Sequence, residues 1–100
     1  GGSVAQAASE QELVVEKDTW HPVVCLFKNG NRSRPHVDKT RLSSERAVRI
    51  TCDAQTTVYK CADGIMPTPV DLGPIKSTDR RQVVGYQIGV MCFKDRDAEP

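Results

Sequence analysis

Two strand-like runs that each end in a cysteine, residues 46–52 and 56–61, constrain this chain more than any other feature. In RAVRITC, Val48, Ile50 and Cys52 fall on one face of a period-2 reading and Ala47, Arg49 and Thr51 on the other, the pattern of a half-buried strand. After the polar break Asp53-Ala54-Gln55, the β-branched and aromatic TTVYKC resumes the habit and puts Val58 near Ile50 across a short hairpin. Two strands are not stable alone in water. The hairpin therefore needs further strands on its apolar face and covalent help from its cysteines.

The chain has 100 residues, enough for one domain with a modest core, and 38% of them are hydrophobic against 27% charged. The longest apolar run, residues 23–27, falls far short of the ~20 residues of a membrane span, which excludes a spanning helix. Cys25, Cys52, Cys61 and Cys92 include no pair spaced closely enough for a structural zinc site, so no metal is expected. Two disulfides and an oxidising, secreted destination are expected instead. The ends of the strands favour Cys25 with Cys61 and Cys52 with Cys92, one of the three arrangements that four cysteines permit. The opening Gly1-Gly2-Ser3 reads as a cloning remnant on a mature form.

Taken in order, residues 1–19 read as a flexible, acidic leader with thin apolar content around Leu13 and Val14; a short helix over residues 9–17, capped by Ser9 with Glu12 three residues on, is the alternative. Residues 20–94 form the domain. WHPVVCLFK, residues 20–28, alternates with apolar side chains on both faces and so reads as a central strand, with Pro22 tolerated at its beginning. Asn29-Gly30 supplies a tight reversal between strands. Residues 31–41, with Pro35, one apolar Val37 and many charges, read as an edge strand, and LSSE at 42–45 as one helical turn or a loop. Residues 62–81 are mostly loop, with a short edge strand at 70–72. Residues 82–94 are the last and longest strand, punctuated by Gly85 and Gly89, and 95–100 a charged tail. The sum is an all-β fold, a small antiparallel six-stranded β-sandwich stapled by two disulfides.

Candidate chemistry is sparse. His21 and His36 are candidates for general acid and base work, but neither sits in a motif with an oriented nucleophile, and Glu45-Arg46 together with them offers only the composition of a ribonuclease acid and base set. Between residues 28 and 49, seven basic residues (Lys28, Arg32, Arg34, Lys39, Arg41, Arg46 and Arg49) face Asp38 and Glu45, a local excess of five positive charges. Such a field attracts an acidic protein surface, or simply guards a strand edge. Without interleaved aromatic residues for base stacking, nucleic acid is not the expected partner. Asn31-Arg32-Ser33 matches the N-glycosylation acceptor pattern and reads as part of an exposed turn.

From Cys25 to Cys61 the order of features resembles the MAX effectors, secreted fungal virulence proteins of plant pathogens with a ToxB-like, six-stranded β-sandwich. CLFKNG, residues 25–30, is similar to the family's first strand and turn, and RITCDAQTTVYKC, residues 49–61, to its third and fourth strands. The family's bridge between the first strand and the end of the fourth would join Cys25 to Cys61. Cys52 and Cys92, the long acidic leader and the extended last strand depart from the pattern. The resemblance implies a non-enzymatic protein, without cofactor, that enters host cells and binds a host protein, for example a heavy-metal-associated domain or an immune receptor, at an exposed sheet edge. Here that edge is residues 33–39, with Arg34, His36 and Asp38 on one face, Lys39 at its end, and Arg32 and Arg41 steering an acidic partner. The alternatives are a secreted ribonuclease-like effector, which needs a helix over residues 35–49, and an unrelated secreted inhibitor or antigen.

Overall fold

The computed structural model describes residues 10–28, 30, 32–39 and 43–93. Along them run β1 (Glu10–Val15), β2 (Trp20–Leu26), β3 (His36–Asp38), a 3-10 turn (Ser43–Glu45), β4 (Ala47–Cys52), β5 (Gln55–Cys61), β6 (Thr68–Lys76) and β7 (Val83–Met91). They form a four-stranded sheet in the order β1-β5-β4-β3 and a three-stranded sheet in the order β2-β7-β6. The fold is an all-β sandwich of seven strands, one more than expected. Its core is drawn from both inner faces: Val15, Val48, Ile50, Tyr59 and Cys61 of the larger sheet pack with Ile88, Val90 and Cys92 of the smaller.

The β4-β5 hairpin forms as its alternation requires, with Val48 and Ile50 fully buried. Its turn has two residues. Cys52 pairs with Gln55, and Asp53 and Ala54 between them have φ of 51° and 66°, the positive values of a turn whose twist suits antiparallel strands. Ile50 consequently lies opposite Thr57, and Val58 lies opposite Arg49 rather than beside Ile50. A shift of one residue reverses the face, so Val58 points outward while Thr57 and Tyr59 point in.

The supposed leader contains a strand. β1 pairs in parallel with β5, from Glu10 opposite Thr56 to Val15 opposite Cys61. Leu13 and Val15 alternate into the core, and Glu10 and Glu12 on the outer face reach Arg49 (2.9 Å) and Lys60 (3.2 Å). Residues 1–9 and 94–100 lie outside the described residues.

β2 is an edge strand rather than a central one, because among the described residues no strand lies beyond it in the smaller sheet. Pro22 is its third residue. Phe27 donates its amide to the Val84 carbonyl, so odd-numbered amides face β7 and Pro22 replaces one that would face away. Gly30 has φ of 78°, but β2 and β3 belong to different sheets, so the segment crosses the sandwich instead of making a tight reversal; Asn29 and Asn31 lie outside the described residues.

β6 is far longer than the three residues expected and carries two prolines, both allowed by its edge position. A bulge at Leu72 lets it continue: Asp71 pairs with Ile88 and Gly73, at φ 90°, with Gln87, while the Asp71 carboxylate accepts the Gly73 amide at 2.8 Å. β7 is the centre of its sheet. A Cβ on its Gly85 would collide with the Cys25 carbonyl oxygen and come within 2.9 Å of the Leu26 Cα.

The disulfides join Cys25 to Cys52 and Cys61 to Cys92, correcting the pairing expected from strand ends. The reason is distance along the strands. Cys52 sits at the turn of the β4-β5 hairpin and Cys61 six residues beyond Gln55, roughly 20 Å away, whereas a bridge needs Cα atoms about 4.4–6.8 Å apart. Cys25 lies level with Tyr86 at the same end as Cys52, and Cys92 follows β7 at the other end, beside Cys61. Both observed pairs fit, with Cα separations of 5.8 and 5.6 Å. The bridge that the family resemblance implied is therefore not formed.

Two substitutions probe these assignments. Val15→Ala should cost about 2 kcal/mol in urea unfolding, because it removes methyl groups from a side chain 4% exposed. Ala54→Gly should instead raise stability by roughly 0.5–1 kcal/mol by relieving a positive φ.

Candidate functional site

After β2 the chain passes the end of the smaller sheet and enters the larger one as β3, and this crossing assembles a concave surface at the expected edge. Phe27 and Tyr86 are tilted against each other with ring centroids 5.7 Å apart. The Arg34 guanidinium lies over Tyr86 at 4.5 Å from the ring centre, and Arg32 over Phe27 at 5.9 Å. Such contacts order a long side chain without removing its charge from water.

Among the described residues β3 pairs with β4 and ends the larger sheet. Opposite it stands β6, one of the two outer strands of the smaller sheet. Between them lies a cavity of about 320 Å³, walled by Arg34, Pro35, Val37 and Lys39 on one side and Pro69 and Asp71 on the other, with Tyr86 and Ile88 as its floor. The groove is apolar at its base and has two cations and one carboxylate at its rim.

The expected site residues divide. Val37 lies opposite Ile50 and faces inward, so its neighbours His36 and Asp38 share the outer face with Thr51 and Arg49. Arg34 is not on that face with them. It precedes the strand and turns into the groove, where Lys39 joins it. Arg32 is exposed near Phe27, and Arg41 lies outside the described residues. Nor do the basic residues form one patch: Arg49 is paired with Glu10 in the middle of the outer face, and Arg46 donates to the Gly64 carbonyl at the opposite end of the sandwich.

The two histidines are separated. His21 is half-buried in β2 with its ring 5.8 Å from that of Tyr59, whereas His36 is exposed on the outer face of the other sheet. The helix that a ribonuclease-like arrangement requires is absent among the described residues of 35–49, which hold β3, a 3-10 turn and half of β4. Among the described residues no group of three or more His, Cys, Asp or Glu is placed to hold a metal ion.

Sequence reasoning missed Phe27 and Tyr86 as the aromatic base of the site, and Pro69 and Asp71 as its far wall. Both come from the pairing of distant strands, whereas the two arginines that cover the rings, Lys39 and the Pro35-Val37 edge were visible beforehand. No family model matches the chain, and no curated protein or solved structure matches it significantly.

One core group gives a pH-dependent handle on the sandwich. Burial pushes the Tyr59 phenol above the ordinary tyrosine value of 10.0, opposed in part by a hydrogen bond with Thr57. The unfolded chain thus loses this proton first as pH rises, so native stability is whole below pH ~10 and declines above it. Urea midpoints measured from about pH 9 to 12 should fall more steeply for the native sequence than for Tyr59→Phe.

Proposed function

We propose that the protein is a secreted, non-enzymatic binding module of the effector type, which grips an acidic stretch of a host protein along the outer edge of β3. Two disulfides fit an extracellular or otherwise oxidising compartment. The observation that carries the reading is the position of β3 at the margin of its sheet: a strand of three residues, last in the order β1-β5-β4-β3, set above a groove whose rim holds Arg34 and Lys39. An extended segment laid there would gain main-chain hydrogen bonds from β3 and place alternate side chains against Val37, Tyr86 and Ile88. Acidic residues in it would meet Arg34, whose stacking on Tyr86 lowers the entropy lost on binding.

The sequence resemblance to MAX effectors between Cys25 and Cys61 extends this proposal to a fungal virulence role, entry into host cells, and a heavy-metal-associated domain or immune receptor as the partner. The test is binding of the oxidised protein to a panel of purified plant heavy-metal-associated domains and receptor fragments. A partner held by the native protein should be lost at least about tenfold on Arg34→Glu with Lys39→Glu, since each desolvated charge pair contributes on the order of 1.5 kcal/mol or more. Unchanged affinity in that variant would overturn the edge reading. Cleavage of RNA that disappears with His36→Ala would replace it with the ribonuclease.

A further inference from the structure

The two outer faces of the sandwich differ in kind. On the larger sheet the outward positions of β1, β5, β4 and β3 include Glu10, Glu12, Lys60, Arg49, His36 and Asp38, laced by two ion pairs. On the smaller sheet the outward positions are uncharged over most of their length: Trp20, Pro22, Val24 and Leu26 of β2 lie beside Met91, Gly89, Gln87 and Gly85 of β7, and these beside Thr68, Val70, Gly73 and Ile75 of β6, with Lys76 opposite Val83 at one end. Trp20 lies flat over Gly89, its Cε3 3.0 Å from where a Cβ would be, and Leu72 closes on the same spot from the other side at 3.3 Å. Trp20, Val24, Leu26 and Leu72 remain 43–53% exposed. This is why β2 reads as a central strand from its sequence although it is an edge.

Charge is arranged lengthwise around this face. At the end marked by the Cys25–Cys52 bridge stand Lys28, Arg32, Arg34, Lys76, Arg80 and Arg81 against Asp53 and Asp79. At the other end, by Cys61–Cys92, the acidic Glu16, Asp18, Glu45 and Asp63 outnumber Lys17 and Arg46.

We propose that the largely uncharged face of the β2-β7-β6 sheet is a self-association surface, covered by the same face of a second copy about a two-fold axis that crosses the strands. That axis lays β2 over the partner's β2 in reversed direction, so Lys28 of each copy meets Glu16 and Asp18 of the other, and Trp20 covers the partner's Val24 and Leu26. An axis along the strands would instead stack cationic end on cationic end. A lipid surface fits less well, because β2 ends the sheet among the described residues and its backbone N–H and C=O groups turned away from β7 would enter hydrocarbon. Three strands about 4.8 Å apart and seven residues long cover roughly 300–350 Å² on each copy, or about 1,000 Å² of accessible surface for the pair once side-chain relief is included. Such an interface lies at the lower bound for a specific dimer and dissociates on dilution.

The surface is separate from the β3 edge, and its test is independent of it. Sedimentation equilibrium of the oxidised protein from about 1 to 500 μM, a span set around the micromolar affinity of small interfaces, should show the mass rising from 11.0 kDa to twice that. The emission of the single tryptophan, Trp20, should shift to the blue in step. Val24→Lys should weaken association at least about tenfold, as a charge at the centre of an apolar contact. Lys28→Glu and Glu16→Lys should each weaken it alone and restore it when the two variants are mixed, because each then meets an opposite charge on the other. A protein that stays at 11.0 kDa throughout, or a dimer indifferent to Val24→Lys, overturns the proposal. So does a monomer that instead sediments with vesicles of phosphatidylcholine and phosphatidylserine through the same residues.

Discussion

Two cystines that cross from one sheet to the other hold this molecule in its shape, one at each end of the sandwich. The buried cluster is small, and a chain of 100 residues recovers only about two-thirds of its unfolded surface. Each bridge closes a loop, of sequence separation 27 and 31, and in the chain-entropy account of disulfides each contributes about 3.5 kcal/mol by restricting the unfolded chain. Together they match the total stability of many domains. Because each links different sheets, neither can persist if the layers slide or part. The short β3, the bulged β6 and the irregular crossing between the sheets are tolerable because the frame does not depend on them.

The frame also explains which parts of the fold were legible in the sequence. Alternation in residues 46–52 is local, and Val48 and Ile50 occupy the face it assigns them, whereas the second run is out of phase by one residue because a two-residue turn puts Tyr59 rather than Val58 on the inner face. β1 was not legible, since Leu13 and Val15 have an inward side only when β5 lies beside them in parallel, a pairing that no local pattern encodes. Connectivity failed for a related reason: the ends of strands are known from sequence, but which ends lie together depends on how the layers are stacked. Asn29-Gly30 shows the limit of turn chemistry. Gly30 does adopt a positive φ, yet the dipeptide says nothing of whether the next strand returns to the same sheet.

At the candidate site, the edge character of β3 and the basic residues beside it followed from Pro35, the single Val37 and the charges around them. The groove did not, because its floor is Tyr86 and its far wall Pro69 and Asp71, all brought there by β6-β7. Local reading also overstated the cationic field. Arg49 faces Glu10 across β5, and Arg46 is drawn to the far end by the Gly64 carbonyl, so charges contiguous in the chain are dispersed over the surface.

The distribution of apolar side chains points beyond a single copy or a single edge. Leu13, Val23 and Val37 are partly buried against the core, while Trp20, Val24, Leu26 and Leu72 lie outside on a sheet face whose central outward positions are uncharged. Polar residues at those outward positions would leave the core contacts untouched, because β2 alternates and its inner positions are His21, Val23 and Cys25. The larger sheet shows the same chain using that solution, with ion pairs across its outer face. The smaller sheet does not: Gly89 of β7 leaves room for Trp20 and Leu72 to lie over it, and the apolar surface so made is of the kind that a second layer covers.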